Sequence, residues 1–397
     1  MGPGCRDLLR GGHGGWHRQV GAGVAKYPRC IAKIGRNDPC HCRSDRKYKK
    51  CCMDRDKARK LPAVRDQQGS LVHREPIETT FKGKRVRVVG DKLAVAPPER
   101  TDQEHYVDFL RDQLGDDWNQ EQRALPESNR HVLHRWNTEW DALRSGAAQP
   151  GYQALGNKQN SASATGNLNC LINLAHDVTT LADAMVLPEE LVKKLRTVDQ
   201  FQGARYEIAM AAVLLRAQFE IEWIPREDRK RPEFNATNRH TGQKVAVEAK
   251  SRHREGVLGR QGEMPEEVKV DVSNLMAKAL KKETDGLPFL ICIDLNMPTA
   301  APESFSEWAK ELEAGVLGRF SAGGQSDPDP WAAVAFTNYS WQWDGDNVAG
   351  DPLSCVAIPH HSVNPLPHSE LDLITQAISQ YGEVTRRPKP NSGARAA

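Results

Sequence analysis

The spacing of hydrophobic residues changes near residue 201. Before that point, apolar residues recur at intervals of three and four, which predicts a helical region over 101–200. The residues that carry this pattern are Tyr106, Phe109, Leu110, Val132, Leu133, Trp136 and Trp140. A Gly-, Ser- and Asn-rich stretch at 146–166 predicts a loop within the region. Residues 61–100 are expected to form a connector and a small hairpin around Gly90 and Asp91.

From 201 to 385 helical and strand patterns alternate, which predicts an α/β domain. A helix that is apolar nearly all round is expected at 202–217. The predicted strands are 219–224, 233–237, 244–250, 288–294, 331–337 and an edge strand at 355–358. Further helices are expected between Val268 and Ala279 and at 303–317. The fold class is therefore α/β, with a mixed central sheet flanked by helices.

Composition places the chain among globular proteins, because 39% of its residues are apolar and 27% are charged. The net charge is only +3, but residues 33–60 alone carry +7, which leaves −4 on the rest. Basic character is therefore local. No apolar run approaches the roughly 20 residues of a membrane span. We expect no membrane contact, a disordered leader over 1–30 and a disordered tail over 386–397.

Cys40, Cys42, Cys51 and Cys52 form the densest group among the nine cysteines. Four thiolates can complete a tetrahedral shell around one Zn²⁺. Because so short and polar a segment cannot bury an apolar core, metal binding has to supply its folding free energy, about 10 kcal/mol or more. We predict a structural zinc site within 31–60 and, since the other cysteines are scattered, a reducing cytoplasmic location.

The same segment resembles a known zinc motif. Residues 35–52 read GRNDPCHCRSDRKYKKCC, which is similar to the SEC-C motif, first known from the C-terminal end of the preprotein translocase ATPase SecA. That family usually has Pro, Gly and Gly where this chain has His41, Arg43 and Asp45. The resemblance implies a docking surface for a chaperone, a ribosome or a nucleic acid, and it does not choose among them.

A second group of candidate residues lies in the α/β domain. In the strand 244–250 the period of two places Glu248 and Lys250 on one face. Glu233 belongs to the preceding strand, and a register that brings it beside Glu248 creates a site for a hard cation such as Mg²⁺. Glu207 is an acid inside an apolar helix, where burial without a partner costs several kcal/mol. A lysine or a metal ion is its natural partner.

The order of these residues resembles the PD-(D/E)xK nuclease superfamily, to which restriction endonucleases belong. The resemblance covers roughly 201–358. It implies that Glu233 and Glu248 bind Mg²⁺ or Mn²⁺, that Lys250 activates water or stabilises the transition state, and that Glu207 orients Lys250 or a second cation. In this chain Glu233 stands where the family name carries Asp.

Two main functions follow from the sequence. The first is a metal-dependent phosphodiesterase that cleaves DNA or RNA and docks to a partner through its zinc motif. The second is an inactive nuclease-like adaptor that binds a protein, ribosomal or nucleic-acid partner through the same motif, and Glu233 in place of Asp favours it. A third alternative is a zinc-dependent nucleic-acid binder that acts through the basic segment.

Overall fold

The computed structural model describes most of the chain beyond residue 77. The described ranges are 78–89, 92–97, 100–145, 152–155, 159–162, 165–225, 230–263, 270–298, 328–359 and 361–382, together with 16–19, 37, 47–50, 268, 307–308 and 310–312. At 16–19, 48, 92, 152–155 and 159–162 only the backbone is described. The leader apart from 16–19, the zinc-motif cysteines, the connector 61–77 and the tail 386–397 lie outside these residues.

A seven-stranded mixed sheet forms the centre of the fold, in the order β1-β12-β11-β10-β9-β8-β7. Its strands are β1 (Trp16–Gln19), β7 (Phe219–Trp223), β8 (Phe234–Asn238), β9 (Lys244–Ser251), β10 (Phe289–Asp294), β11 (Ala333–Asn338) and β12 (Leu353–Ala357). Strands β9, β10 and β11 run parallel, and the remaining neighbours are antiparallel. Every residue of β10, β11 and β12 is buried. This burial explains why their sequences are apolar without alternation.

Helices cover both faces of the sheet. They are α1 (Asp102–Leu114), α2 (Asp116–Ala124), α3 (Val132–Arg144), α4 (Gly166–Asp183), α5 (Glu189–Leu195), α6 (Val198–Arg216), α7 (Ser273–Ala279) and α8 (His368–Ser379). Helix α6 and the side chains of Val245, Val247 and Ala249 share one hydrophobic cluster. Helix α7 packs in a second cluster with Ala246 and the alternate residues of β10. The period of two in β9 therefore assigns its two faces to different helices.

The predicted mixed α/β architecture is confirmed, and most strand positions agree within two residues. The first cluster also contains residues of α1, α3 and α4. The predicted helical region and the α/β region therefore share a core. No described helix is both long and apolar enough to cross a lipid bilayer.

Several predicted elements are corrected. Residues 16–19 form β1 and pair with β12, so the prediction of disorder is wrong at these positions and β12 is not an edge strand. The predicted loop 146–166 contains a hairpin of β5 (Tyr152–Leu155) and β6 (Gln159–Ala162). The small hairpin is a three-stranded sheet of β2 (Glu78–Phe81), β3 (Lys84–Val89) and β4 (Lys92–Ala96). In each case backbone pairing with a neighbouring strand fixes a segment whose side chains give only a weak strand pattern.

His131 is the N-cap residue of α3, and its side chain is buried. Its Nδ1 accepts a hydrogen bond from the backbone N–H of Leu133 at 3.2 Å, and its ring packs edge-on against Trp118 and Phe201. Burial, helped by the charge of Arg135, lowers the pKa of His131 to about 4. The ring is therefore neutral in the folded protein at pH 7, with the proton on the other nitrogen.

This burial predicts a loss of stability in acid. His131 takes up a proton near pH 6.5 in the unfolded chain, but only near pH 4 in the folded protein. The contribution of His131 to the free energy of unfolding is therefore complete above pH 6.5 and decreases as the pH falls towards 4. The free energy of unfolding should fall by about 3 kcal/mol more in the wild type than in His131→Asn over this interval. Urea denaturation at a series of pH values measures the difference, and parallel curves for the two proteins would contradict the assignment.

Candidate functional site

Glu233 and Glu248 lie opposite each other on antiparallel strands. Phe234 of β8 pairs with Val247 of β9, and the backbone N–H of Glu233 donates to the carbonyl of Val247 at 3.1 Å. Glu233 immediately precedes Phe234, and Glu248 immediately follows Val247. Phe234 and Val247 pack in the same hydrophobic cluster as α6. The pleat therefore directs both glutamate side chains to the other face. The expected register is confirmed.

Lys250 connects the two carboxylates. Its Nζ lies 2.9 Å from Oε1 of Glu233 and 2.6 Å from Oε1 of Glu248. Glu248 is completely buried, whereas the side chains of Glu233 and Lys250 remain 15% and 24% exposed. The cluster is thus closed on the side of the sheet and open to solvent on the side of Glu233 and Lys250. A ligand can approach from that side.

A second lysine, Lys282, reaches Glu248 from the end of α7. Its Nζ lies 3.4 Å from Oε1 of Glu248 and donates to the backbone carbonyl of Arg231 at 2.9 Å. Two carboxylates therefore meet two ammonium groups in one cluster. Lys282 lies three residues beyond the end of α7, and sequence spacing alone gave no reason to place it beside Glu248.

The charges of the cluster shift its pKa values in linked ways. Burial raises the pKa of Glu248 and the charge of Glu233 raises it further, while Lys250 and Lys282 oppose the rise. Burial by itself lowers the pKa of Lys250, but the carboxylates of Glu248 and Glu233 outweigh burial and raise it. Lys250 is therefore a permanent cation near neutral pH, suited to neutralising an anion and not to accepting a proton.

Glu207 is carried by a different element of the sheet's surroundings. It is buried in α6, and α6 packs against the face of β9 that carries Val245, Val247 and Ala249. Glu248 and Lys250 project from the opposite face, next to the face of β10 that packs on α7. The expectation that Glu207 orients Lys250 or a second cation stays a prediction. The sequence showed that Glu207 is an acid in an apolar helix but not which face of the sheet that helix covers.

An exposed histidine, His253, lies just beyond β9 on the side of α6. Partial loss of solvent contact and the positive charges of Arg260 and Lys250 lower its pKa. Its Nδ1 lies 3.1 Å from a guanidinium nitrogen of Arg260, and a Cβ at Gly203 of α6 would lie only 3.0 Å from its Nε2. Glycine at 203 therefore lets α6 approach the segment that follows Lys250.

The donor atoms of the cluster fit a hard divalent cation. Mg²⁺ and Mn²⁺ prefer carboxylate oxygens, and Mg²⁺ is commonly held by only one or two carboxylates together with water and substrate phosphate. Oε2 of Glu248 is buried and accepts no hydrogen bond from any described residue. Across the described part of the chain, no three His, Cys, Asp or Glu side chains are grouped to hold a metal. A cation bound by Glu233 and Glu248 therefore needs water or substrate as further ligands, and it needs Lys250 to move aside.

A cavity in the described part of the chain lies elsewhere. It has a volume of about 600 Å³ and is lined by β4 and by residues of α1, α2 and α3. None of the carboxylates or lysines of the candidate site lines it. Among its charged residues, Arg111 pairs with Asp141 at 2.8 Å, and Arg100 pairs with Asp108. The cavity is separate from the proposed chemistry.

Comparison with known proteins identifies the N-terminal motif. Residues 36–54 match the family model described as the SEC-C motif, so the prediction of that motif is confirmed. The UPF0225 protein GSU1048 of Geobacter sulfurreducens is 54% identical over 37 residues, which make up 9% of this chain and 23% of that protein. The chain therefore spans less than a quarter of this relative. No solved structure matches the chain.

SEC-C motifs bind zinc in general, but Cys40, Cys42, Cys51 and Cys52 lie outside the described residues. Their ligand role stays a prediction from sequence. The family match also lies outside the central sheet, so it assigns no role to the carboxylate and lysine cluster.

The ion pairs of Lys250 predict a measurable loss of stability. Lys250→Met leaves Glu248 buried beside another carboxylate with Lys282 as its remaining cation, and it should lower the free energy of unfolding by about 3 kcal/mol near pH 7. The double variant Glu248→Gln/Lys250→Met should recover most of that loss, because it removes the buried charge together with its partner. Urea denaturation of the wild type, of Lys250→Met, of Glu248→Gln and of the double variant completes the cycle. A loss in the double variant equal to the sum of the two single losses would show that the pair is not coupled.

Proposed function

We propose that this protein is a metal-dependent phosphodiesterase that cleaves nucleic acid, and that its SEC-C motif docks it to a partner. The observation that carries the proposal is the convergence of Glu233, Glu248 and Lys250 on one partly open face of the sheet. Two hard-oxygen ligands beside a permanent cation are the groups that metal-assisted phosphodiester hydrolysis requires.

The succession of elements around the cluster supports the same proposal. Helix α6 is followed by the antiparallel strands β7, β8 and β9, then by α7 and by β10 parallel to β9. This arrangement resembles the core of the PD-(D/E)xK nucleases. Glu233 immediately precedes the second strand of the succession, and Glu248 and Lys250 lie on the third, as the resemblance implies.

Each side chain of the cluster has a distinct task in this proposal. Glu233 and Glu248 hold Mg²⁺ or Mn²⁺, which when bound polarises the phosphate and lowers the pKa of a coordinated water. Lys250 turns from the carboxylates towards the solvent-open side and neutralises charge that develops on the phosphate oxygens. The buried position of Glu248 excludes water from one side of the site, which strengthens these interactions.

The electrostatics explain why Lys250 can leave its carboxylates. Without a cation, its ammonium group lies within 3 Å of an oxygen of each glutamate and balances their repulsion. Glu233 and Glu248 would hold a divalent cation in that role, and its positive charge would disfavour the ammonium group at the same place. The phosphate of a substrate then becomes the nearest anion available to Lys250.

An adaptor without catalytic activity is the second candidate. Two observations favour it: the confirmed family match covers only the SEC-C motif, and Glu233 replaces the Asp that names the nuclease superfamily. In the adaptor, the ion pairs of Glu233, Glu248 and Lys250 are a structural network, and the motif recruits a protein, ribosomal or nucleic-acid partner.

Cleavage assays distinguish the two candidates. Zinc-loaded protein is incubated with single- and double-stranded DNA and RNA in the presence of Mg²⁺ or Mn²⁺. We expect cleavage that falls roughly 100-fold or more in Lys250→Ala and in Glu248→Gln, because each removes a group that acts on the transition state. Lys244→Ala is the matched control, since Lys244 lies exposed on the same strand.

Cleavage that survives in Lys250→Ala, or no cleavage of any substrate by the wild type, would contradict the nuclease. The second result, with zinc still bound, would favour the adaptor.

A further inference from the structure

Lys282 is fixed by the backbone around it. Its Nζ donates to the carbonyl of Arg231 at 2.9 Å, and the next residue, Glu283, donates its backbone N–H to the carbonyl of Lys230 at 2.7 Å. The guanidinium of Arg231 also pairs with Asp285 at 2.6 Å. These three contacts join the end of α7 to the segment that leads directly into Glu233. We call them the α7 clasp.

Lys250 is held differently. Its ammonium group is paired with the side chains of Glu233 and Glu248, and it is more exposed than that of Lys282, 24% against 16%. Lys250 can therefore turn away when its two carboxylates gain another cation, because both of these contacts are to side chains. Lys282 keeps its bond to a main-chain carbonyl.

We propose that Lys282 is a positioning residue of the cation site, which fixes Glu248 and, through the α7 clasp, the distance between Glu248 and Glu233. One atom, Nζ of Lys282, contacts both Glu248 and the carbonyl of Arg231, two residues before Glu233. When Lys250 leaves, Lys282 stays as the counter-ion of the buried Glu248. This inference rests on the proposed function, since it concerns the same two carboxylates.

The effect of removing Lys282 on the affinity for Mn²⁺ depends on whether Lys282 acts through its charge or through its position. A positive charge next to a cation site repels the cation, so its loss should by itself increase the affinity for Mn²⁺. If Lys282 instead sets the geometry of the two carboxylates, its loss should decrease that affinity. The sign of the change therefore separates a positioning role from a purely repulsive one.

The test is a titration of zinc-loaded protein with Mn²⁺, in which electron paramagnetic resonance measures the free ion. We expect Lys282→Met to bind Mn²⁺ about ten times more weakly than the wild type. Lys282→Arg should bind nearly as well as the wild type, because it keeps a donor and a positive charge. Lys281→Met is the matched control, since Lys281 is an exposed neighbour, and it should bind like the wild type.

Unchanged or tighter binding by Lys282→Met would overturn the inference. Thermal unfolding of each variant shows whether it is folded, and if Lys282→Met does not fold, weaker binding by Lys282→Gln decides in the same way.

Absence of Mn²⁺ binding by the wild type would count against the proposed function. The inference is then judged by a crystal structure of Lys282→Met, where a displaced Glu233 supports it and an unmoved Glu233 overturns it.

Discussion

The carboxylate of Glu248 is fully buried on a central strand, and the ammonium groups of Lys250 and Lys282 balance its charge. Removing an unpaired carboxylate from water costs several kcal/mol, so the buried strand requires compensating positive charge beside Glu248. The requirement ties three separate parts of the chain together: β9, the entry into β8 and the end of α7. An apolar residue at 248 would meet no such requirement, and the buried charge is therefore the feature that most needs a functional explanation.

Strand periodicity made much of this arrangement predictable. The alternation in 244–250 placed Glu248 and Lys250 on one face, and the antiparallel neighbour placed Glu233 beside them. The apolar strands β10 and β11 were recognisable because burial on both faces removes polar residues from every position. Local patterns of this kind determine which way a side chain points within its own element.

Other features depend on contacts between distant parts of the chain. The apolar surroundings of Glu207 indicated burial in a helix but not that α6 packs on the face opposite Lys250. Lys282 was missed because its partners, the carboxylate of Glu248 and the carbonyl of Arg231, belong to other elements. Strand β1 was missed because it forms through backbone pairing with β12, which its Gly-rich neighbours do not reveal. The periodicity of one element shows which of its faces is buried, but it does not show which distant element packs against that face.

In the proposed function, Glu233 and Glu248 form a divalent-cation site that releases Lys250. Anomalous diffraction from a crystal soaked in Mn²⁺ shows whether this site exists. We expect one Mn²⁺ peak within coordination distance of both carboxylates, with Nζ of Lys250 moved away from them. Lys250 still between the two glutamates, with no anomalous peak beside them at a saturating Mn²⁺ concentration, would contradict it.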